Sequence, residues 1–133
     1  MTRLFSKKSL LRTDSNDPRG ATFIAALRGG DYAFVEIRKG ALRGGHLHDK
    51  ETVQIVVKGR IRFEFVDPAT RRHDDAIAGP MDVLEIPAGI AHLAEGLEDC
   101  IFIEPVNVGK TIEYEPQRKR IRRLLRSLKT RAK

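Results

Sequence analysis

At 133 residues the chain has the length of one domain, enough to bury about two thirds of its unfolded surface in a single core. Its hydrophobic content is 41%, no run approaches the roughly 18 apolar residues of a membrane span, and its single cysteine, Cys100, excludes an internal disulfide. The formal net charge of +7 is unevenly spread: residues 117–133 hold nine Lys or Arg and no acid, so residues 1–116 carry a net −2 and the basic character belongs to a tail.

In chain order, the first twenty residues are polar and lack the apolar stretch of a signal peptide. A soluble, cytoplasmic protein is the expectation. Ser15, Asn16, Asp17 and Pro18 signal a turn. Residues 21–27 can form a strand, broken by Gly29 and Gly30, and residues 32–38 alternate as a half-buried strand does. After the Lys39–Gly40 turn comes a strand carrying His46 and His48, a polar turn at residues 49–51, and an apolar strand over residues 52–58. Gly59 permits a bend. Ile61, Phe63 and Phe65 then share one face of a strand, with Arg60, Arg62 and Glu64 on the other. His73, among charged residues, reads as an exposed loop histidine. Short strands at residues 83–86, 93–95 and 100–106 complete eight to ten, with Cys100 as a buried strand thiol. No long helix is expected before residue 116, so residues 1–116 read as an all-β barrel or sandwich.

Residues 117–133 break the pattern. Ile121, Leu124, Leu125 and Leu128 fall at helical spacing, with no Gly or Pro after Pro116. This predicts a basic amphipathic helix. Its apolar stripe would pack on the barrel or across a dimer. Its cations would face water, an acidic partner or an anionic surface. No aromatic interleaves them, which argues against base stacking and against specific nucleic-acid binding.

The chemistry concentrates in the histidines. His46 and His48, two apart on a strand, point to one place. His92 follows a turn at Pro87 and Gly89. Neutral imidazoles from two hairpins are what a small metal site needs, and imidazole suits Zn, Fe, Ni and Cu alike. With three histidines at these positions, metal binding outweighs plain hydrogen-bonded packing.

These residues also carry a resemblance. Residues 40–59, with Gly40, five residues, His46-x-His48 and a closing Gly59, resemble the first motif of the cupin superfamily. Pro87-x-Gly89-x-x-His92, within residues 79–95, resembles the second. The resemblance implies a cupin double-stranded β-helix, a jelly-roll barrel of the kind that pairs as a homodimer. It also implies a divalent metal (Zn, Fe, Ni or Mn) held by His46, His48 and His92. The family's first motif carries a Glu ligand seven residues before its closing Gly, where this chain has Thr52. Glu51 is one residue off and should face away. Gln54 shares the face of Thr52, so Gln54 or water is the candidate fourth ligand.

Arg43-Gly44-Gly45-His46-Leu47-His48 further resembles the Arg-Gly-x-His-x-His run of sugar-nucleotide isomerases and epimerases, and Asp17-Pro18-Arg19-Gly20 resembles their upstream Asp-x-Arg-Gly. A small metal-binding cupin acting on a small polar ligand is thus the leading expectation. One alternative is a sugar-nucleotide epimerase or isomerase. There His48 would be the base and Arg43, with Arg62 if it faces inward, would hold substrate, and Tyr32 and Phe34 would be candidates for base stacking. An iron-dependent dioxygenase-like cupin and a non-catalytic ligand-binding cupin with a partner-binding tail are the others.

Overall fold

The computed structural model describes residues 4–14 and 17–131. Residues 1–3, Ser15 and Asn16 of the expected turn, and the last basic residue, Lys133, lie outside the described residues. Eleven strands precede one helix: β1 (Leu11–Asp14), β2 (Thr22–Leu27), β3 (Gly30–Ile37), β4 (Leu42–His48), β5 (Thr52–Lys58), β6 (Ile61–Val66), β7 (His73–Ala78), β8 (Val83–Ile86), β9 (Ala91–Gly96), β10 (Cys100–Pro105), β11 (Thr111–Glu113) and α1 (Glu115–Arg131). They form a six-stranded sheet in the order β1-β2-β3-β10-β5-β8 and a five-stranded sheet in the order β11-β4-β9-β6-β7. From β4 onward the chain changes sheet at nearly every connection. This is the two-sheet jelly roll expected, with a C-terminal helix added.

Three strands were not anticipated, and all three lie at sheet edges: β1, β7 and β11. Edge strands are short and carry charges that discourage further pairing, so their sequences read as loop. His73, expected in a loop, is the exposed first residue of β7, paired with Val66. Among the described residues no helix is long and apolar enough to cross a membrane.

The interior is graded from one end to the other. Val35, Ile37, Val56, Ile61, Phe63 and Phe102 form an apolar core. Moving along the inward face of β5, Val56 gives way to Gln54 and then Thr52, all buried. On β10, Cys100 and Phe102 give way to Glu104. On β9, Ala94 gives way to His92. One end of the barrel is therefore packed hydrocarbon and the other is lined by polar side chains.

A bulge in β4 re-aims its residues. Gly44 pairs with Leu93 and His46 with His92, so Gly45 is an extra residue in this strand. Gly44 and Gly45 both have positive φ, 98° and 78°, which glycine adopts without strain. Strand alternation alone would put Arg43 and His46 on opposite faces, being three residues apart. The extra residue restores both to the interior.

The same bulge seats α1. A Cβ on Gly45 would stand 2.8 Å from Arg118 Cδ and 3.1 Å from Ile121 Cδ1. Tyr114 N–H donates to Gly45 O at 2.9 Å, immediately before the helix begins. Glu115 in the first turn suits the positive helix N-terminus. Ile121 is 1% exposed, a burial worth roughly 1.5–3 kcal/mol, while Leu124, Leu125 and Leu128 are half-buried. Gln117 and Arg120 reach Glu64 on the outer face of β6, at 3.3 and 2.6 Å. The helix begins at Glu115 rather than 117 and is packed against the barrel.

Gly45→Ala should therefore cost on the order of 2–4 kcal/mol, from a non-glycine residue at positive φ and from crowding against the helix. Gly29→Ala, with open space around its Cβ position, should change stability by less than about 0.5 kcal/mol. Urea denaturation of the two variants measures the difference.

Candidate metal centre

β4 and β9 bring His46, His48 and His92 together, with one ligand nitrogen from each lying within 4.8 Å of the others. Ring centroids are 4.8 Å apart for His46–His48 and for His46–His92, and 5.2 Å for His48–His92. A tetrahedral ion with bonds of about 2.0–2.1 Å holds its nitrogens roughly 3.4 Å apart, so the three rings face one space and would draw closer together to hold an ion.

The outer nitrogens of two rings are held. His92 Nδ1 lies 3.3 Å from Ile90 O, which can only accept, so Nδ1 carries the proton and Nε2 the lone pair. That Nε2 is buried and has no hydrogen-bond partner among the described residues. His48 Nδ1 lies 3.0 Å from Thr111 Oγ1. A backbone or hydroxyl partner on the far nitrogen is how metal-binding imidazoles are commonly oriented.

Burial also keeps the rings neutral. It lowers the pKa of His46 to about 3, with the neighbouring His92, His48 and Arg118 adding to the effect. Burial lowers His92 to about 4, with the hydrogen bond to Ile90 O opposing and the neighbouring His48 adding to the effect. His48 is lowered by burial too, with the Asp49 carboxylate opposing. Neutral imidazole is the form that binds metal.

Two cavities open on this cluster. One, of about 170 Å³, is lined by His46, His92, Gln54 and Glu104 together with Arg19, Arg43 and Arg118. The other, of about 260 Å³, touches His46, His48, Glu104 and Thr111. Thr52 and Gln54 face inward as expected, and Glu51 is exposed. Gln54 Nε2 donates to Glu104 Oε2 at 3.0 Å, and its Oε1 is buried without a partner. Gln54 thus lines the cavity beside the histidines with an acceptor oxygen unspent.

Arg43 faces the cavity and braces its wall, donating to Glu36 O at 3.2 Å and Gly20 O at 2.9 Å. Arg62 is not in the site. It lies on the outer face of β6, 3.8 Å from Glu95. Tyr32 and Phe34 sit on the opposite face of β3 from Val35, which lines the cavity. They offer no stacking surface there.

Glu104 and Arg118 escaped the sequence reading, and Arg19 entered it only as part of the Asp17–Gly20 resemblance. Glu104 shows a signal in retrospect, as the lone acid in the apolar run 100–106. Burial pushes its pKa up to about 7, against the hydrogen bond from Gln54 and the charge of Arg43. Arg19 follows Asp17 in a tight turn closed by Gly20 N–H donating to Asp17 O at 3.1 Å. Burial works against the Asp17 carboxylate, but the hydrogen bonds and charge of Arg19 hold its pKa below the usual value. Arg118 lies within the basic run of the tail, where nothing distinguishes it from its neighbours.

A two-sheet antiparallel barrel with three convergent histidines at its polar end defines a small metal-capable jelly-roll protein. The sequence matches the family model described as Cupin over residues 24–105, and the chain belongs to the cupin family. No curated protein matches it. Among solved structures it is similar to the capsular polysaccharide assembling protein CapF from Staphylococcus aureus, at 21% identity and TM-score 0.67, covering 80% of this chain and 32% of that one. It is similar to oxalate decarboxylase from B. subtilis, at 17% identity and TM-score 0.66, covering 85% and 33%. The formate complex of oxalate decarboxylase from Lactobacillus farciminis gives 24% identity and TM-score 0.64, covering 78% and 33%. The chain spans about a third of the length of these proteins.

The depressed histidines make stability pH-dependent in the metal-stripped protein. Above the ordinary imidazole pKa of about 6.5 both folded and unfolded rings are neutral, and the term vanishes. Below it the unfolded chain binds protons that the folded chain refuses, so stability falls with falling pH. The histidine contribution should fall from about pH 6.5 down to about 4, where His92 begins to accept its proton. Glu104, which binds a proton in the folded chain at a higher pH than in the unfolded one, partly offsets it over the upper part of that range. Denaturation midpoints of metal-stripped wild type and His92→Gln across this range check it, with a shallower slope expected for the variant.

Proposed function

We propose that this chain is a metal-dependent cupin in which His46, His48 and His92 hold one divalent ion beside a cavity for a small polar ligand. The observation that carries this is the buried lone pair of His92 Nε2, unpartnered and aimed among two other neutral imidazoles. An empty acceptor in such a place costs free energy unless a cation or proton donor occupies it. A bound ion would act as a Lewis acid with an open position, polarising a carbonyl or carboxylate oxygen of the ligand. Gln54 Oε1 or water would supply the fourth donor in place of the carboxylate absent at Thr52. Arg43 fixes the cavity wall by bridging two backbone carbonyls, and Glu104 is the acid within reach of the ligand space.

Zn, Fe, Ni and Mn all suit the donor set. Another structure of B. subtilis oxalate decarboxylase has Mn(II) centres, which favours including Mn. The same similarity supports a small-acid ligand. The sugar-nucleotide reading has in its support the similarity to a capsular polysaccharide assembling protein, CapF. It requires a ligand that extends out of a cavity of about 170 Å³, well below the roughly 300–1,000 Å³ of pockets that enclose drug-sized molecules. A dioxygenase-like role would show itself as oxygen uptake by the iron-loaded protein.

Protein purified without chelator or His-tag should contain about one Zn, Fe, Ni or Mn per chain, and the His46→Ala/His92→Ala double variant none. Metal saturation should raise the wild-type melting temperature, because an ion that binds only the folded state stabilises it. Wild type that takes up no metal even after reloading would overturn the reading.

A further inference from the structure

Arg118 lies on α1, outside residues 24–105 that match the family model. It nevertheless lines the same cavity as His46 and His92. Its stem passes over β4 at Gly45, where a Cβ would stand 2.8 Å from Arg118 Cδ. One guanidinium N–H donates to Gly44 O at 3.2 Å, and Nε is buried without a hydrogen-bond partner among the described residues. The nearest acid, Glu113, is exposed and 3.8 Å away. The guanidinium is therefore held by packing, by the bond to Gly44 O and by a long ion pair with exposed Glu113, while its Nε makes no hydrogen bond among the described residues.

We propose that Arg118 is the anion anchor of this cavity, and that the ligand presented to the three histidines is a small oxyanion of the carboxylate or phosphate type. This rests on the metal-dependent reading above for the ligand's second contact, though not for its first. The charge balance supports it. The cavity is lined by Arg19, Arg43 and Arg118 against one acid, Glu104, among the described residues. Arg19 is paired with Asp17, and Arg43 bridges two carbonyls. A planar guanidinium grips an oxyanion through two parallel hydrogen bonds, which a Lys cannot reproduce. A divalent ion among neutral imidazoles would add positive charge on the far side of the same space. At about 170 Å³ the cavity holds an anion of only a few heavy atoms.

The test titrates acetate, oxalate and inorganic phosphate calorimetrically into the full chain, with and without added Zn. Wild type, Arg118→Gln, Arg118→Lys and Arg120→Gln are compared. Arg120 pairs with Glu64 on the outer face of the sheet and serves as the control. At least one anion should bind wild type, at least tenfold more weakly to Arg118→Gln, with partial recovery in Arg118→Lys and no change in Arg120→Gln. Zn stoichiometry should be the same in all four. The tighter of carboxylate and phosphate identifies the ligand's chemistry. Equal anion affinity in wild type and Arg118→Gln overturns the proposal, as does a wild type that binds none of the three at millimolar concentration. If the protein takes no Zn, the metal-dependent reading fails on its own, and the Arg118 dependence in the metal-free titrations still decides the anchor. Should Arg118→Gln not fold, the loss of affinity in Arg118→Lys decides it instead.

Discussion

Enclosing polar side chains at one end of a barrel is the constraint on which the rest of this structure depends. Strand alternation sends every second residue inward, whatever its chemistry. On β5, β9 and β10 the inward set is apolar at one end and polar at the other. A buried polar atom must find a partner or cost free energy. Here several do not: Gln54 Oε1, Thr52 Oγ1 and His92 Nε2 are buried and unpartnered among the described residues. The apolar half carries enough packed hydrocarbon, with Phe63, Ile61 and Val56 fully buried, to offset that cost. Gln54 and His92 line the same cavity, so two of these unpaired atoms belong to one polar space.

The Gly44–Gly45 bulge converts a strand pattern into a site. By inserting one residue into β4 it turns both Arg43 and His46 inward and sets His46 directly opposite His92. The absent side chain at Gly45 admits α1 to the same spot. One local irregularity thus decides which side chains meet and what covers them. A regular strand would have directed His46 and His48 away from His92, and a larger residue at 45 would have pushed the helix off.

Much of this was legible in the sequence, because the signals are local. Period-two alternation with Gly and Pro punctuation marked the interior strands, and the ends of β5 at Thr52 and Lys58 agree with the expectation. The two histidine motifs carried the fold and the three converging rings. What was hidden depends on long-range pairing or on parity. β1, β7 and β11 take their strand character from a neighbour rather than from their own composition. Thr111, which holds His48, is brought there only by the pairing of β11 with β4. Glu104 was readable from alternation with Cys100 and Phe102, but its significance required the opposite strand that places Gln54 beside it. Arg62 was open to either face from its sequence and proved to lie outside.

Composition alone would make the last 17 residues, with nine cations, a solvated tail, whereas their helical apolar spacing predicts a packed stripe. Most of the helix's described arginines are exposed. Yet Gln117 and Ile121 are each 1% exposed, and Arg118 between them borders the metal-capable cluster. Burial of Gln117 and Ile121 holds the helix in place, and Arg118, on the same side of the helix, is carried along with them. The barrel and the helix therefore divide the labour. The strands supply three neutral nitrogens whose spacing follows from sheet geometry and would hold for any ligand. The cation that α1 adds to the cavity lining, Arg118, comes from a separate element seated against Gly45. A change at Arg118 would be felt at His46 as well, because the guanidinium charge already helps to hold that ring neutral.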